Sequence, residues 1–430
     1  MQLDGMDRTF IAALATFLAI AISAFVTMRL GVFHVTAVAG IVALALTVGV
    51  FYFRSSLWRR PVPSSSSSVR GTLPWLPYIL LGILVLAGLL YALFPTYYLL
   101  GGRDPGLYLL FSMHIAQTGG LVLDLPVLRD LYALYGEGIR LGFPGIYSAY
   151  HRGLSDDPAE LIPQFMHVFP AIGALFYQAG GLEALVRANA VIAVFSLWAF
   201  FMVMRRITTP YVALLATVAL AINAAFIWNA RITLTEALAF AFLFSGLYLL
   251  IRAFDLKSSL WATAAGAVLG LAILNRLDAA LNVLVIAGVA GVVVARPEYL
   301  RTVFVPLTAS YLVLSTWGFI DGYLHAYPYL HDLWLMGSLR GINLVEADTR
   351  DPHVHTLVDP VAILQALDRL GNPEFDFAHG PCTQISASDR SPHELYPTSL
   401  MNHVNDTQFL SVIASRNQPT LPCNSVGTWW

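Results

Sequence analysis

Charge is what this sequence has least of. Asp, Glu, Lys and Arg make up 12% of its 430 residues, against about 25% in an ordinary soluble domain. That scarcity excludes the soluble globular classes, and it excludes intrinsic disorder, which needs high charge and low hydrophobicity. Lysine is almost missing. Of 24 basic residues only Lys257 is a lysine, so phosphate or carboxylate recognition falls to arginine, whose planar guanidinium binds both in a bidentate way. There is no dense basic run, and the net charge is -2; nothing points to nucleic acid. Cysteine is limited to Cys382 and Cys423, both in the last quarter. Their side of the membrane decides whether they can pair. No internal repeat of fixed period is visible.

What is abundant is apolar sequence, at 57% with a mean hydropathy of +0.67. A bilayer-spanning helix needs about 20 mostly apolar residues. Nine segments approach this: roughly 10–28, 35–53, 74–99, 184–204, 211–228, 236–253, 261–275, 279–295 and 303–322. The first has little basic character ahead of it beyond Arg8 and is followed at once by the second, so it reads as a retained span and not a signal peptide. The expected class is an all-α polytopic membrane protein.

Orientation follows from basic residues in short connections. One set of ends carries Arg8, Arg54, Arg59, Arg60, Arg70, Arg205, Arg206, Arg252, Lys257, Arg296 and Arg301; the alternate set carries Arg29, Arg231 and Arg276. The first set is expected to be cytoplasmic, with the N-terminus inside and the C-terminus outside. Residues 163–180 could form a tenth span, but that would place the later basic clusters outside. The segment also holds Pro163, His167, Pro170 and Gln178, so it reads as an interfacial or re-entrant helix on the outer side. The expected organisation is a two-helix hairpin (1–53), a Ser-rich cytoplasmic linker (54–73), a transmembrane module (74–322) with a long outer loop (100–183), and an extracytoplasmic tail (323–430).

On this topology the polar residues of interest collect on the outer face. The long loop opens GGRDPGLYLL, with Arg103, Asp104 and Tyr108, and later carries His151, Arg152, Asp156 and Asp157. NARITLTEAL brings Arg231 and Glu236; NRLDA brings Arg276 and Asp278. A carboxylate can act as general base toward a hydroxyl, and an arginine can stabilise a departing phosphate. Together they suit group transfer from a lipid-phosphate donor. Structural readings stand beside these. Asp104-Pro105 matches a helix N-cap followed by proline at the first helical position. Thr233-Leu-Thr-Glu236 matches a capping box with Glu236 at the third position. Asp278 could cap the eighth span, with Arg276 on the last carbonyls of the seventh. Asp156-Asp157-Pro158 resembles a turn, and His114 and His167 read first as packed interfacial residues. Asp351, His353 and His355 lack the further patterned ligand that a metal site would need.

In the order of these elements the chain resembles the GT-C superfamily of polytopic glycosyltransferases: protein O-mannosyltransferases, the lipid A aminoarabinose transferase and family-39-like bacterial enzymes. The resemblance runs from about residue 74 to 322. It comprises a span, an outer loop opening with Asp104, the stretch from Gly119-Gly120 to Pro126, the proline-bearing helix 162–181, a span ending in Arg205-Arg206, then RITLTEAL, then Arg276. It implies that Asp104 is the catalytic base, that Glu236 lines the same cavity and that Arg276 binds the donor phosphate; Arg103 and Arg231 have no family equivalent and are candidate helpers of Arg276 by their place on the outer face. Tyr108, His151, Arg152, His167 and Asp278 are further cavity candidates. There are departures. Arg-Asp-Pro-Gly stands where many members have Asp-Glu, two extra spans precede the usual first, and no spans follow 322, as in a truncated, split or degenerate member.

The function expected from the resemblance is transfer of a sugar from a polyprenyl-phosphate donor to a hydroxyl of a lipid, glycan or protein acceptor, in a bacterial plasma (inner) membrane. The resemblance fixes no cofactor, and a divalent metal is left open. A lipid or solute transporter, or a non-catalytic membrane scaffold, is the alternative. The outer location expected for Cys382 and Cys423 predicts one disulfide closing about 40 residues, stabilising by about 3–4 kcal/mol.

Overall fold

The computed structural model describes residues 4–57, 74–98, 104–135, 146–149 and 155–326. The linker 58–73, the tail from 327, Arg103, His151, Arg152, Cys382 and Cys423 lie outside them, and with them the expected disulfide. The described residues run through thirteen α-helices: α1 (Gly5–Arg29), α2 (Val35–Leu57), α3 (Leu76–Leu93), α4 (Asp104–Thr118), α5 (Pro126–Tyr135), α6 (Val168–Leu185), α7 (Ala188–Ile207), α8 (Pro210–Ala221), α9 (Ala224–Arg231), α10 (Glu236–Leu256), α11 (Ser259–Leu271), α12 (Val283–Ala295) and α13 (Val305–His325). Short 3-10 turns at Ala272–Leu274 and Leu277–Asn282 join α11 to α12, and a π-helical turn at Leu300–Phe304 precedes α13.

Among the described residues, seven helical stretches are long and apolar enough to cross a membrane, or eight if the bent pair α8 and α9 counts as one. This is a mainly helical, multi-pass membrane protein. Each expected span falls on a helix, with two adjustments. Residues 211–228 are not one straight helix: α8 and α9 meet at 61°, because Asn223 leaves the helical path and its side chain caps the amide of Phe226 at 3.1 Å. The apolar stretches Val35–Gly49 and Ser259–Leu274 are shorter than a full crossing.

α6 passes the length test with the lowest hydropathy of the seven, 1.2. Its contacts are informative. Beside its first residue, His167 meets Arg29 at the C-terminus of α1. Gln178 accepts from the amide of Val35 and donates to the carbonyl of Ala116. Just past its end, Arg187 donates to the carbonyl of Ala92 near the C-terminus of α3. Helices α1 and α3 run in the same direction, each ending at this level. Both ends of α6 therefore touch the same end of the bundle.

Helices pack closely where glycine permits. At Gly266 of α11 a Cβ would sit 2.1 Å from the carbonyl oxygen of Leu307 in α13, and at Gly270 2.8 Å from that of Tyr311. Lipid provides no hydrophobic drive between helices, so close backbone approach at small residues supplies the packing energy.

The fold is not purely α. Residues 123–163 contribute a three-stranded antiparallel sheet of β1 (Leu123–Asp124), β2 (Ile146–Ser148) and β3 (Glu160–Pro163), with β3 central. Leu107 and Phe111 of α4 close over it and over Leu128, Leu131 and Tyr132 of α5, forming a small second core. Asp157 sits in the expected turn: its carboxylate accepts from the amide of Ala159 and pairs with Arg129.

Candidate functional site

The bundle has two polar ends. At one, Asp7 of α1 is fully buried and accepts four hydrogen bonds: from the Asp4 amide, Arg205, Arg206 and the Tyr248 hydroxyl. Arg206 and Arg252 share Asp255. At this end the charges of α1, α7 and α10 are paired across helices.

At the opposite end, the segment 231–236 between α9 and α10 is the organising element. Asn189, buried at the start of α7, aims its amide nitrogen at the carbonyls of Asn229, Ile232 and Leu234. The Thr233 hydroxyl donates to the carbonyl of Pro105 at 2.6 Å, tying the segment to the start of α4. The Thr235 carbonyl accepts from Asn275 at 3.1 Å, and its hydroxyl accepts from Arg276 at 3.1 Å. Glu236 then opens α10, where unpaired helix amides favour a negative charge. These bonds bring three distant loops to one place.

The result is a recess enclosing about 370 Å³ including its open mouth, lined by Asp104, Tyr108, Met166, Leu234, Thr235, Glu236, Asn275 and Arg276. The Arg276 guanidinium donates to Glu236 Oε1 at 2.6 Å and holds Asp278 through Nε and Nη2, both at 2.9 Å. Asp278, then Glu236, keep its charge firmly in place, raising its pKa against the effect of burial. Glu236 Oε2 and Asn275 Oδ1 are buried, and among the described residues neither has a donor.

Of the expected site residues, the structure thus brings Asp104, Tyr108, Glu236 and Arg276 to one recess, with Asp278 held against Arg276 on the exposed side. Arg231 is not among the lining residues. Its guanidinium is turned to the carbonyl of Phe94 and lies 5.9 Å from the Phe94 ring centroid. His167 is wholly buried beside the recess residue Met166, and its Nδ1 lies 2.7 Å from Arg29 Nη2. Arg29 in turn pairs with Asp321 at 2.6 Å. Burial, and then the Arg29 charge, hold the His167 pKa well below its ordinary value. His114 is packed, as expected, with Nε2 2.9 Å from the Val122 carbonyl.

Two capping expectations change. The Thr233–Glu236 capping box is absent: Glu236 is the first helical residue, the Thr235 side chain makes no cap bond, and the Thr233 hydroxyl is drawn to Pro105 instead. Asp278 binds Arg276 within a 3-10 turn and does not cap α12, whose N-cap is Asn282. Sequence reasoning also missed Asn189 and Asn275. The signal was available, since an amide among apolar residues at a span end needs a partner.

Among the described residues, no group of three or more His, Cys, Asp or Glu is placed to hold a metal ion. No family model, curated protein or solved structure matches the chain.

Proposed function

We propose that the chain is an integral-membrane glycosyltransferase that moves a sugar from a polyprenyl-phosphate donor to a hydroxyl acceptor at the extracytoplasmic face. The observation that carries this reading is the meeting of Asp104, Glu236 and Arg276 in one recess. They come from three separate connections, with Glu236 and Arg276 40 residues apart and Asp104 more than a hundred residues before both, at the end of the bundle opposite Arg205 and Arg206. Two carboxylates and a guanidinium are the groups the reaction asks for. Asp104 removes the proton from the acceptor hydroxyl as it attacks the anomeric carbon. Arg276 offsets the charge on the departing phosphate, and Glu236 orients the acceptor.

The environment of Arg276 adds a condition. Its Nε and both N–H of Nη1 already have partners, and Nη2 is bonded to the largely exposed Asp278. A phosphate must take the remaining Nη2 hydrogen or displace Asp278. The bilayer contributes proximity by holding donor and site in one plane.

The topology that goes with this reading has nine spans. The N-terminus and the Arg205-Arg206 end are cytoplasmic, and α6 lies along the outer interface with its flanks at one level. A bacterial plasma membrane, with a lipid, glycan or protein acceptor, completes the proposal. The test is transfer from a lipid-linked sugar by membranes carrying wild type or Asp104→Asn. A loss of about 10²–10⁴-fold is expected for a missing general base. Unchanged turnover in the variant refutes the assignment.

A further inference from the structure

The recess contains two hydrogen-bond acceptors for which the described residues provide no donor, Glu236 Oε2 and Asn275 Oδ1. Asn275 is 1% exposed. The orientation of its amide follows from its neighbour. The nitrogen lies 3.1 Å from the Thr235 carbonyl, which can only accept, so the N–H must face Thr235 and the oxygen must point elsewhere. Glu236 is in the same condition: Oε1 takes Arg276, and Oε2 is buried with nothing to accept from. Arg276 cannot serve both, because its hydrogens are largely committed to Asp278, Thr235 and Glu236. Buried polar atoms in folded proteins are nearly always satisfied, and two unmet acceptors in one recess point to an occupant that brings donors.

The kind of donor is restricted by what surrounds it. Asp104 and Glu236 outnumber the one guanidinium of Arg276 in the recess, so charge alone does not reject a cationic donor. One of the two acceptors is a neutral amide, which suits a neutral donor. Tyr108, Met166 and Leu234 supply apolar wall on which the C–H face of a ring can rest.

We propose that Asn275 and Glu236 form a hydroxyl-reading pair that selects the substrate of this recess, each accepting a hydrogen bond from a hydroxyl of a sugar ring. Asn275 is then a specificity-determining residue. The choice of a sugar as the hydroxyl-bearing ring rests on the glycosyl-transfer reading; the demand for hydrogen-bond donors does not. A site built to bond a hydroxyl discriminates strongly against an analogue lacking it, because its own buried group is left unpaired.

The test uses the full chain in lipid nanodiscs and methyl hexosides as probes, with dissociation constants from saturation-transfer NMR. Monodeoxy analogues are compared on wild type and on Asn275→Ala. Wild type should show one hydroxyl whose removal weakens binding at least about tenfold. Asn275→Ala should bind the parent glycoside more weakly by a similar factor and be indifferent to that deletion. If Asn275→Ala does not fold, the deoxy series on wild type and on Glu236→Gln carries the test. The proposal is overturned if no glycoside binds, if every deoxy analogue binds wild type like its parent, if Asn275→Ala discriminates as wild type does, or if only amino sugars bind. Transfer from a lipid-linked sugar is measured in parallel. Discrimination without transfer refutes the enzyme reading and keeps this one; transfer untouched by Asn275→Ala does the reverse.

Discussion

Asp7 and Glu236 are carboxylates in the first turns of two long helices, at opposite ends of the same bundle. Asp7 is fully buried, and both its oxygens are used, by two arginines, a tyrosine and a backbone amide. Glu236 is about one-third exposed, takes one arginine on Oε1 and leaves Oε2 without a donor. A carboxylate with every lone pair engaged fixes helices to one another. A carboxylate held by one oxygen, beside an open recess, keeps capacity for a ligand. The same chemistry is structural at one end and available at the other, and the difference lies in how completely the neighbours satisfy it.

The largest expected effect is at the satisfied end. Asp7→Ala removes the buried anion that Arg205 and Arg206 share, leaving Asp4 to one and the more distant Asp255 to the other, and loss of one partner from a buried ion pair costs about 3–5 kcal/mol. Unfolding of the purified protein in detergent measures this. A loss no larger than that of a surface substitution would remove the structural half of the comparison. The next effect lies between the ends. Gly266→Ala drives a methyl into the Leu307 carbonyl and should cost about 1–3 kcal/mol by overpacking, separating α11 from α13 and shifting the loop that carries Asn275 and Arg276. Transfer activity should fall together with the unfolding midpoint.

The smallest stability effect is a pH dependence centred on the recess end. Burial holds the pKa values of His167 and His114 below the ordinary value. An unfolded chain therefore binds protons at these sites first. Their contribution is fully present above about pH 6.5 and is lost as pH falls below it, at up to about 1.4 kcal/mol per pH unit for each. His167→Gln should flatten that slope. Unfolding midpoints across about pH 5–8 check the sign, and a midpoint that rises toward acid would contradict it.

The membrane class was legible in the sequence because span length and apolar content are local properties. Asp104, Glu236 and Arg276 were legible because each is a rare charge beside an apolar run. What local spacing cannot show is which distant group will claim a side chain. Thr233 matched a capping box by position, yet the Pro105 carbonyl, 128 residues away, takes its hydroxyl. Arg231 matched a site arginine, yet Phe94 holds it. Asp7 looked like an ordinary charge near the N-terminus, and only packing against α7 and α10 shows it to be a buried anchor. Asn275 went unnoticed beside the more conspicuous Arg276, although it is the residue whose unmet oxygen restricts the ligand. The fold of the 104–163 region was least legible, since its strands are two to four residues long and take their register from one another.

The most direct measurement is on Glu236→Gln, scored for transfer activity and for unfolding midpoint in the same preparation. The substitution keeps the size of the side chain and an oxygen for Arg276, and removes a negative charge that the protein leaves half satisfied. Transfer reduced at least about tenfold, with a midpoint unchanged or raised, is the predicted result. A midpoint that falls as it does in Asp7→Ala, with undiminished transfer per folded molecule, would show that Glu236 is one more structural anchor and would contradict the account.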